Sequence, residues 1–175
     1  MIHRKALKGW ASVILAVALL LVAVSAAACS NPDAAHEGDT VKVEYTGTLS
    51  DGTAFDSTVN ESFGHPDPLE FTIGEGRMIA GFEKAVIGMD VGDTKKVTIK
   101  AKDAYGEKYF DVPLSELPDD LMVGEELYNQ ADGTVAIVAN ISGDMATLES
   151  THELAGEDLT FEITMVEIIK PAEEE

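Results

Sequence analysis

The chain has 175 residues and sets 32 Asp and Glu against 12 Lys and Arg, a formal net charge of −20. That acid excess excludes nucleic acid as a partner, because binding it rests on cationic contacts to phosphate. A single cysteine, Cys29, excludes an intramolecular disulfide and any cysteine-rich metal site.

The chain opens with the basic residues His3, Arg4, Lys5 and Lys8, followed by an uncharged, mostly apolar run from Trp10 to Ala28. A basic start, an apolar stretch and small residues at the end form a secretory signal. The apolar run is also close to the ~20 residues that cross a bilayer as a helix, so cleavage and retention both stay open. Ser25-Ala26-Ala27-Ala28-Cys29 resembles a bacterial lipobox, with Ala26 where leucine is usual. Residues 1–28 are therefore expected to be a signal peptide or an uncleaved anchor, and Cys29 a lipidation site. Either outcome tethers the protein to a membrane outside the cytoplasm. Residues 29–38 form a short tether, at most about 30 Å from Ser30 to Gly38 when extended. Without the signal, nine cations face 32 acids, a charge of −23.

Thr40 to Leu49 alternates, with Val41, Val43, Tyr45 and Leu49 on one face, and predicts a half-buried strand. Asp51-Gly52 supplies a turn, and Leu69 to Ile73 reads as a second strand. Ile79, Phe82, Val86 and Ile87 then fall at helical spacing, so the pattern predicts one short amphipathic helix over 78–87, closed by Gly88. Alternation returns at Thr94 to Lys100 and at Leu159 to Ile169, where Val166 and Ile168 break the one-faced pattern and call for burial on both sides or a bulge. The expected fold is α+β, a curved antiparallel sheet, or half-barrel, wrapped on one short helix. Residues 39–107 and 152–170 belong to it, and 171–175 form an acidic tail.

Residues 108–151 have a character of their own. Pro113 to Leu117 reads as a helical turn, and Thr134 to Ile141 with Met145 to Leu148 as a hairpin. The segment is too long for a structureless loop and is expected to be a small, mostly β inserted subdomain. Leu114, Leu117, Leu121, Met122, Val123, Ile137, Val138 and Met145 are its candidate core and client surface. His36, His65 and His152 are scattered without the spacing of a zinc motif, so no metal site is expected.

An ordered series of motifs remains. Val43-Glu44-Tyr45-Thr46-Gly47 is followed by Gly52-Thr53-Ala54-Phe55-Asp56-Ser57, then by Gly74-Glu75-Gly76-Arg77-Met78-Ile79-Ala80-Gly81-Phe82-Glu83, Val91-Gly92-Asp93 and Ala104-Tyr105-Gly106. In order and spacing this resembles the FKBP-type peptidyl-prolyl cis-trans isomerases over nearly all of 39–107 and 156–169. The place of the insertion, after Tyr105-Gly106, is similar to the SlyD-like branch with its insert-in-flap chaperone domain. The resemblance implies a proline pocket with Tyr45, Asp56 and Tyr105 as catalytic residues. It implies Phe55, Leu69, Met78, Ile79, Phe82, His152 and Phe161 as substrate-binding ones. Leu69 stands where an aromatic residue is frequent, and Phe82 where tryptophan is common. The histidine-rich metal-binding tail of SlyD-type members is absent, so no nickel function is expected.

The resemblance thus implies an isomerase that needs no cofactor and acts on proline-containing or unfolded polypeptides; with the leader pattern, a monomer working outside the cytoplasm is expected. A non-catalytic chaperone or surface binding module on the same fold is the alternative.

Overall fold

The computed structural model describes residues 31–129 and 133–172. The expected signal over 1–28, the lipidation site Cys29 and the tail residues 173–175 lie outside the described residues. Among the described residues no helix is long and apolar enough to cross a membrane.

The longest ladder joins two strands from opposite ends of the chain. β1, Thr40–Thr48, buries alternate residues from Val41 to Gly47. It pairs antiparallel along its whole length with β9, Leu159–Ile169. Its other edge is shared by two short strands: β3, Leu69–Thr72, pairs with residues 40–43, and β2, Ala54–Ser57, with residues 46–48. β4, Thr94–Ile99, lines the far side of β9. The sheet is open, in the order β2-β1-β9-β4. The irregularity at the end of β9 is a bulge. Lys42 pairs with Glu167 and Val43 with Met165, which leaves Val166 over, turned outward and 39% exposed.

The helix is shorter than its periodicity predicts. α1 spans Ala80–Val86, and Ile79 before it has extended backbone (φ −58°, ψ 139°). The reason lies in Glu83, whose carboxylate accepts the Gly74 N–H at 3.1 Å and the Met78 N–H at 3.4 Å. This buried acid fixes the 74–78 loop in a non-helical path, so Met78 and Ile79 stand above the sheet instead of extending the helical stripe. α1 buries Phe82, Ala85 and Val86 against Val41, Val43, Phe71, Ile99, Leu159 and Ile163, all inside one core. Burying a side chain such as Phe82 favours the fold by about 1.5–3 kcal/mol.

Residues 109–150 build a second sheet. β5, Tyr109–Pro113, β6, Glu126–Tyr128, β7, Val135–Ser142, and β8, Met145–Ser150, lie in the order β5-β8-β7-β6. Its only helical element among the described residues is the turn Leu114–Glu116. The two connections to the first sheet meet at glycines. Gly156 donates its N–H to the Gly106 carbonyl at 2.8 Å. A Cβ on Gly156, whose φ is +85°, would lie 2.9 Å from the Lys108 Cβ.

The core of this sheet takes in four of the eight expected residues, Leu114, Leu117, Leu121 and Val138. Ala136, Val138, Ala146 and Leu148 are its buried residues, backed by Val112, Leu114, Leu117, Leu121, Leu127 and Ile141. Met122 and Val123 are instead 68% and 61% exposed, because the turn 121–125 carries them off the end of the sheet. Ile137 and Met145 are half-buried and outside that cluster.

Candidate functional site

The sequence places Tyr45 and Gly47 on the same face of β1, the face that α1 covers, and Phe161 opposite Gly47 on β9. β2 returns Phe55 and Asp56 beside them. Gly47 is a condition of this arrangement. A Cβ there would fall 2.6 Å from Phe55 Cζ and 3.0 Å from Phe161 Cε1, so only a missing side chain lets the two rings close over the strand. Phe82 rises from α1 into the same cluster. Its ring lies 5.6 Å from Tyr45 and 5.2 Å from Phe161, edge to face in both cases, while Phe55 meets Phe161 edge to face at 5.7 Å.

Above these rings lies a cavity of about 160 Å³ lined by Tyr45, Phe55, Asp56, Leu69, Arg77, Met78, Ile79, Phe82, Tyr105 and Phe161. Nine of the ten residues singled out from the sequence therefore meet around one space. His152 lies outside it. Its ring stacks on Tyr105, with centroids 4.0 Å apart and planes 14° apart, and lines an adjoining cleft of about 560 Å³ with Phe55, Asp56, Tyr105 and Leu154.

The polar groups in the lining are few, and those of Tyr45 and Asp56 are paired with each other. The Tyr45 hydroxyl donates to Asp56 Oδ2 at 2.5 Å, and the Ser57 N–H donates to Oδ1 at 2.9 Å. His65 Nε2 lies 2.9 Å from the same Oδ1. Burial, and then the neighbouring Asp56 carboxylate, push the Tyr45 hydroxyl far above the ordinary tyrosine range. The same two causes, in the same order, raise Tyr105. Both phenols therefore stay protonated and remain donors at physiological pH. Tyr105 is 40% exposed and is the donor at the mouth. The floor is dry: Phe82 is 3% and Phe161 5% exposed.

Sequence reading missed two residues here. Arg77 was only a spacer within the Gly74–Glu83 motif, yet it lines the cavity. His65 was one of several scattered histidines. Its signal was the turn Asn60–Gly64 before it, a single 3-10 turn that folds the 60s segment back over β2.

Larger spaces adjoin the cavity. A crevice of about 320 Å³ between the two sheets includes Tyr105, Gly106, Phe110, Thr134, Ala136 and Ser150 in its lining. It shares Phe110, Thr134 and Ala136 with a groove of about 590 Å³ on the second sheet, lined also by Val112, Leu117, Leu127, Tyr128 and Leu148. Among the described residues no group of three or more His, Cys, Asp or Glu is placed to hold a metal ion.

Comparison with known proteins gives a consistent picture. The FKBP-type peptidyl-prolyl cis-trans isomerase family matches residues 31–166. The short-type peptidyl-prolyl cis-trans isomerase of Methanocaldococcus jannaschii is 35% identical over 154 residues, which cover 79% of this chain and 96% of that protein. Peptidyl-prolyl cis-trans isomerase FKBP15-2 of Arabidopsis thaliana is 49% identical over 74 residues, 42% of this chain and 43% of its own length. FK506-binding protein 2 of Yarrowia lipolytica is 46% identical over 74 residues, 42% of this chain and 49% of its own length. The match thus spans nearly all of the archaeal relative and less than half of the two eukaryotic ones.

Proposed function

Because this chain belongs to the FKBP-type peptidyl-prolyl cis-trans isomerases, we propose that the cavity beneath Tyr105 is where it rotates X-Pro bonds. We propose further that the second sheet holds the client chain while it does so, and that the work is done outside the cytoplasm on a membrane tether. The observation that carries the first part is the convergence of nine of the ten side chains implied by the resemblance on one cavity walled by aromatic and aliphatic groups, with the protonated Tyr105 hydroxyl at its mouth.

Rotation about a peptide bond faces a barrier of ~18–20 kcal/mol because resonance gives the C–N bond partial double character. Uncatalysed X-Pro isomerisation takes tens of seconds and limits folding of chains that need it. The resonance form separates charge between the carbonyl oxygen and the nitrogen, and water stabilises that separation. In the twisted transition state it is lost. A proline ring seated against Phe82, Phe161, Phe55, Met78 and Ile79 loses that water, so the planar ground state loses more than the twisted state. The Tyr105 hydroxyl then holds a carbonyl of the bound segment and fixes its orientation. The Tyr45–Asp56 pair keeps its own polar atoms bonded to each other, so it walls the cavity without drawing water into it. About 4 kcal/mol off the barrier amounts to roughly a thousandfold acceleration. No bond is made or broken, and the chemistry requires no cofactor.

Client holding rests on the groove of the second sheet, whose wall includes the exposed Phe110 and Tyr128, and on the exposure of Tyr109, Met122 and Val123 elsewhere on the same unit. Apolar surface of this kind is a protein-binding feature. Groove and crevice share Phe110, Thr134 and Ala136, and crevice and cavity share Tyr105, so the three spaces neighbour one another along the course proposed for an extended client. The extracytoplasmic placement rests on the leader pattern of residues 1–29.

The deciding experiment is proline-limited refolding of an unfolded client, with residues 31–175 and with a folded version in which 108–151 are replaced by a short loop. The expected result is strong acceleration by the first, largely lost in the second, while both isomerise a short peptide. If the folded protein accelerates neither refolding nor peptide isomerisation, it is a binding module on this fold and not an active enzyme.

A further inference from the structure

The cavity holds one group that the isomerisation described above does not use. Arg77 is the only arginine besides Arg4, in a chain with 32 acidic residues. Most folded lysines are engaged. Lys42, Lys84, Lys100, Lys108 and Lys170 each meet a carboxylate, and Lys95 donates to the Ala85 carbonyl. Among the described residues Arg77 has no hydrogen-bond or ion-pair partner, although it lines the proposed catalytic cavity. The one carboxylate in that lining, Asp56, is occupied by the Tyr45 hydroxyl, the Ser57 N–H and His65. The backbone presenting Arg77 is fixed on both sides, because Glu83 accepts the N–H groups of Gly74 and Met78.

A guanidinium is a rigid fork of donors that matches a carboxylate with two parallel hydrogen bonds. We propose that Arg77 is a specificity-determining residue, which selects client segments carrying an Asp or Glu within a residue or two of the isomerised proline. This rests on the cavity being the isomerisation site. The sign of the effect makes it diagnostic. A net charge of −20 repels acidic peptides at long range, so the field of the whole protein discriminates against them. Only a local cation at the site reverses that order.

The test uses short peptides that differ only in one residue, Glu, Gln or Lys, placed either just before or just after the proline. Both kcat/KM and binding affinity are measured with the intact protein, so each variant supplies its own ratio. The wild type is expected to prefer Glu over Gln by roughly three- to tenfold at one of the two positions, with the preference shrinking as salt is raised. Arg77→Gln should bring the ratio to one or below, Arg77→Lys should keep part of it, and Arg77→Glu should turn the preference to Lys. A wild-type ratio of one or less at both positions overturns the proposal, as does a Glu preference that survives in Arg77→Gln. A Glu preference seen in binding, removed by Arg77→Gln, but without turnover of any peptide, keeps the assignment of Arg77 and removes the catalytic reading instead.

Discussion

The two sheets are made of similar strands, yet they end in different states. The first gathers fifteen buried residues into one core, among them Phe71, Phe82, Phe161, Ile163 and Met165. The second buries four, and two of those are alanines. What separates them is α1. A sheet has one face to hide and needs a second layer to hide it. The first sheet receives Phe82, Ala85 and Val86 from the helix, whereas the second receives only the leucines 114, 117 and 121 from turns. Several of its remaining apolar side chains stay at the surface, with Tyr109 and Tyr128 56% and 66% exposed. An unfinished core is a weakness as a structure, and it leaves the apolar surface on which the proposed client holding rests.

The largest effect expected from this difference comes from cutting one large side chain out of each core. Phe82→Ala removes a ring that contacts Tyr45, Phe71 and Phe161 and should cost about 3–5 kcal/mol, seen as a fall in the midpoint of global unfolding together with loss of peptide isomerisation. Leu148→Ala should cost about 2–3 kcal/mol but act locally. Hydrogen exchange should quicken over 109–113 and 135–150 while 40–48 and 159–169 keep their protection. Peptide isomerisation should stay within about twofold, and refolding of a whole client should suffer. If Leu148→Ala exposes the first sheet equally, the two sheets unfold as one unit and the contrast drawn above is wrong.

A smaller effect is expected where activity and stability are separated. Tyr105 is partly exposed and its hydroxyl has no hydrogen-bond partner among the described residues, so Tyr105→Phe should leave the unfolding midpoint in place while kcat/KM falls about tenfold, roughly 1.4 kcal/mol of transition-state stabilisation. Asp56→Ala frees the Tyr45 hydroxyl in a buried setting and should lower activity by a similar factor with about 1 kcal/mol of destabilisation. Full activity in both variants would remove Tyr105 and Asp56 from the catalytic set.

Strands β1 and β9 were legible because each has one buried face that writes a period of two into the sequence, and β4 through the apolar pair Val97 and Ile99 alone. β2, β5 and β6 were not. They are short edge strands with little or nothing buried: the sole fully buried residue among them is Ser57. Helical spacing at Ile79 was real but misleading, because a tertiary contact, Glu83 to the 74–78 loop, overrode it. In the second sheet hydrophobicity alone pointed to Met122 and Val123, and only the course of the turn shows that they face outward. The apolar wall of the cavity was legible through the resemblance of its motifs. Arg77 and His65 were not, since a charge gives no periodic signal and its meaning depends on which atoms surround it.

The smallest effect concerns a staple at the foot of the first sheet. The Lys170 ammonium donates to Asp39 Oδ2 at 2.8 Å and to the Ala34 carbonyl at 2.6 Å, tying the end of β9 to the segment that leads into β1. Burial of Asp39 acts against its charge, but the hydrogen bonds from Lys170 and the His36 N–H outweigh it and hold the carboxyl below its ordinary value of 3.8. A carboxyl with a lowered folded value contributes stability that is complete above 3.8 and is lost as pH falls through the folded value. Lys170→Gln should therefore lower stability by about 1 kcal/mol at neutral pH, and the gap from wild type should close in acid as Asp39 takes up its proton. Denaturant unfolding of both proteins across pH 2–7 would read this directly. The second sheet holds no buried carboxylate of this kind among the described residues, so its hydrogen-exchange protection should respond to the substitution no more than a distant site does. A gap that persists unchanged into acid would mean that Lys170 acts through Ala34 and packing, and that the staple is not electrostatic.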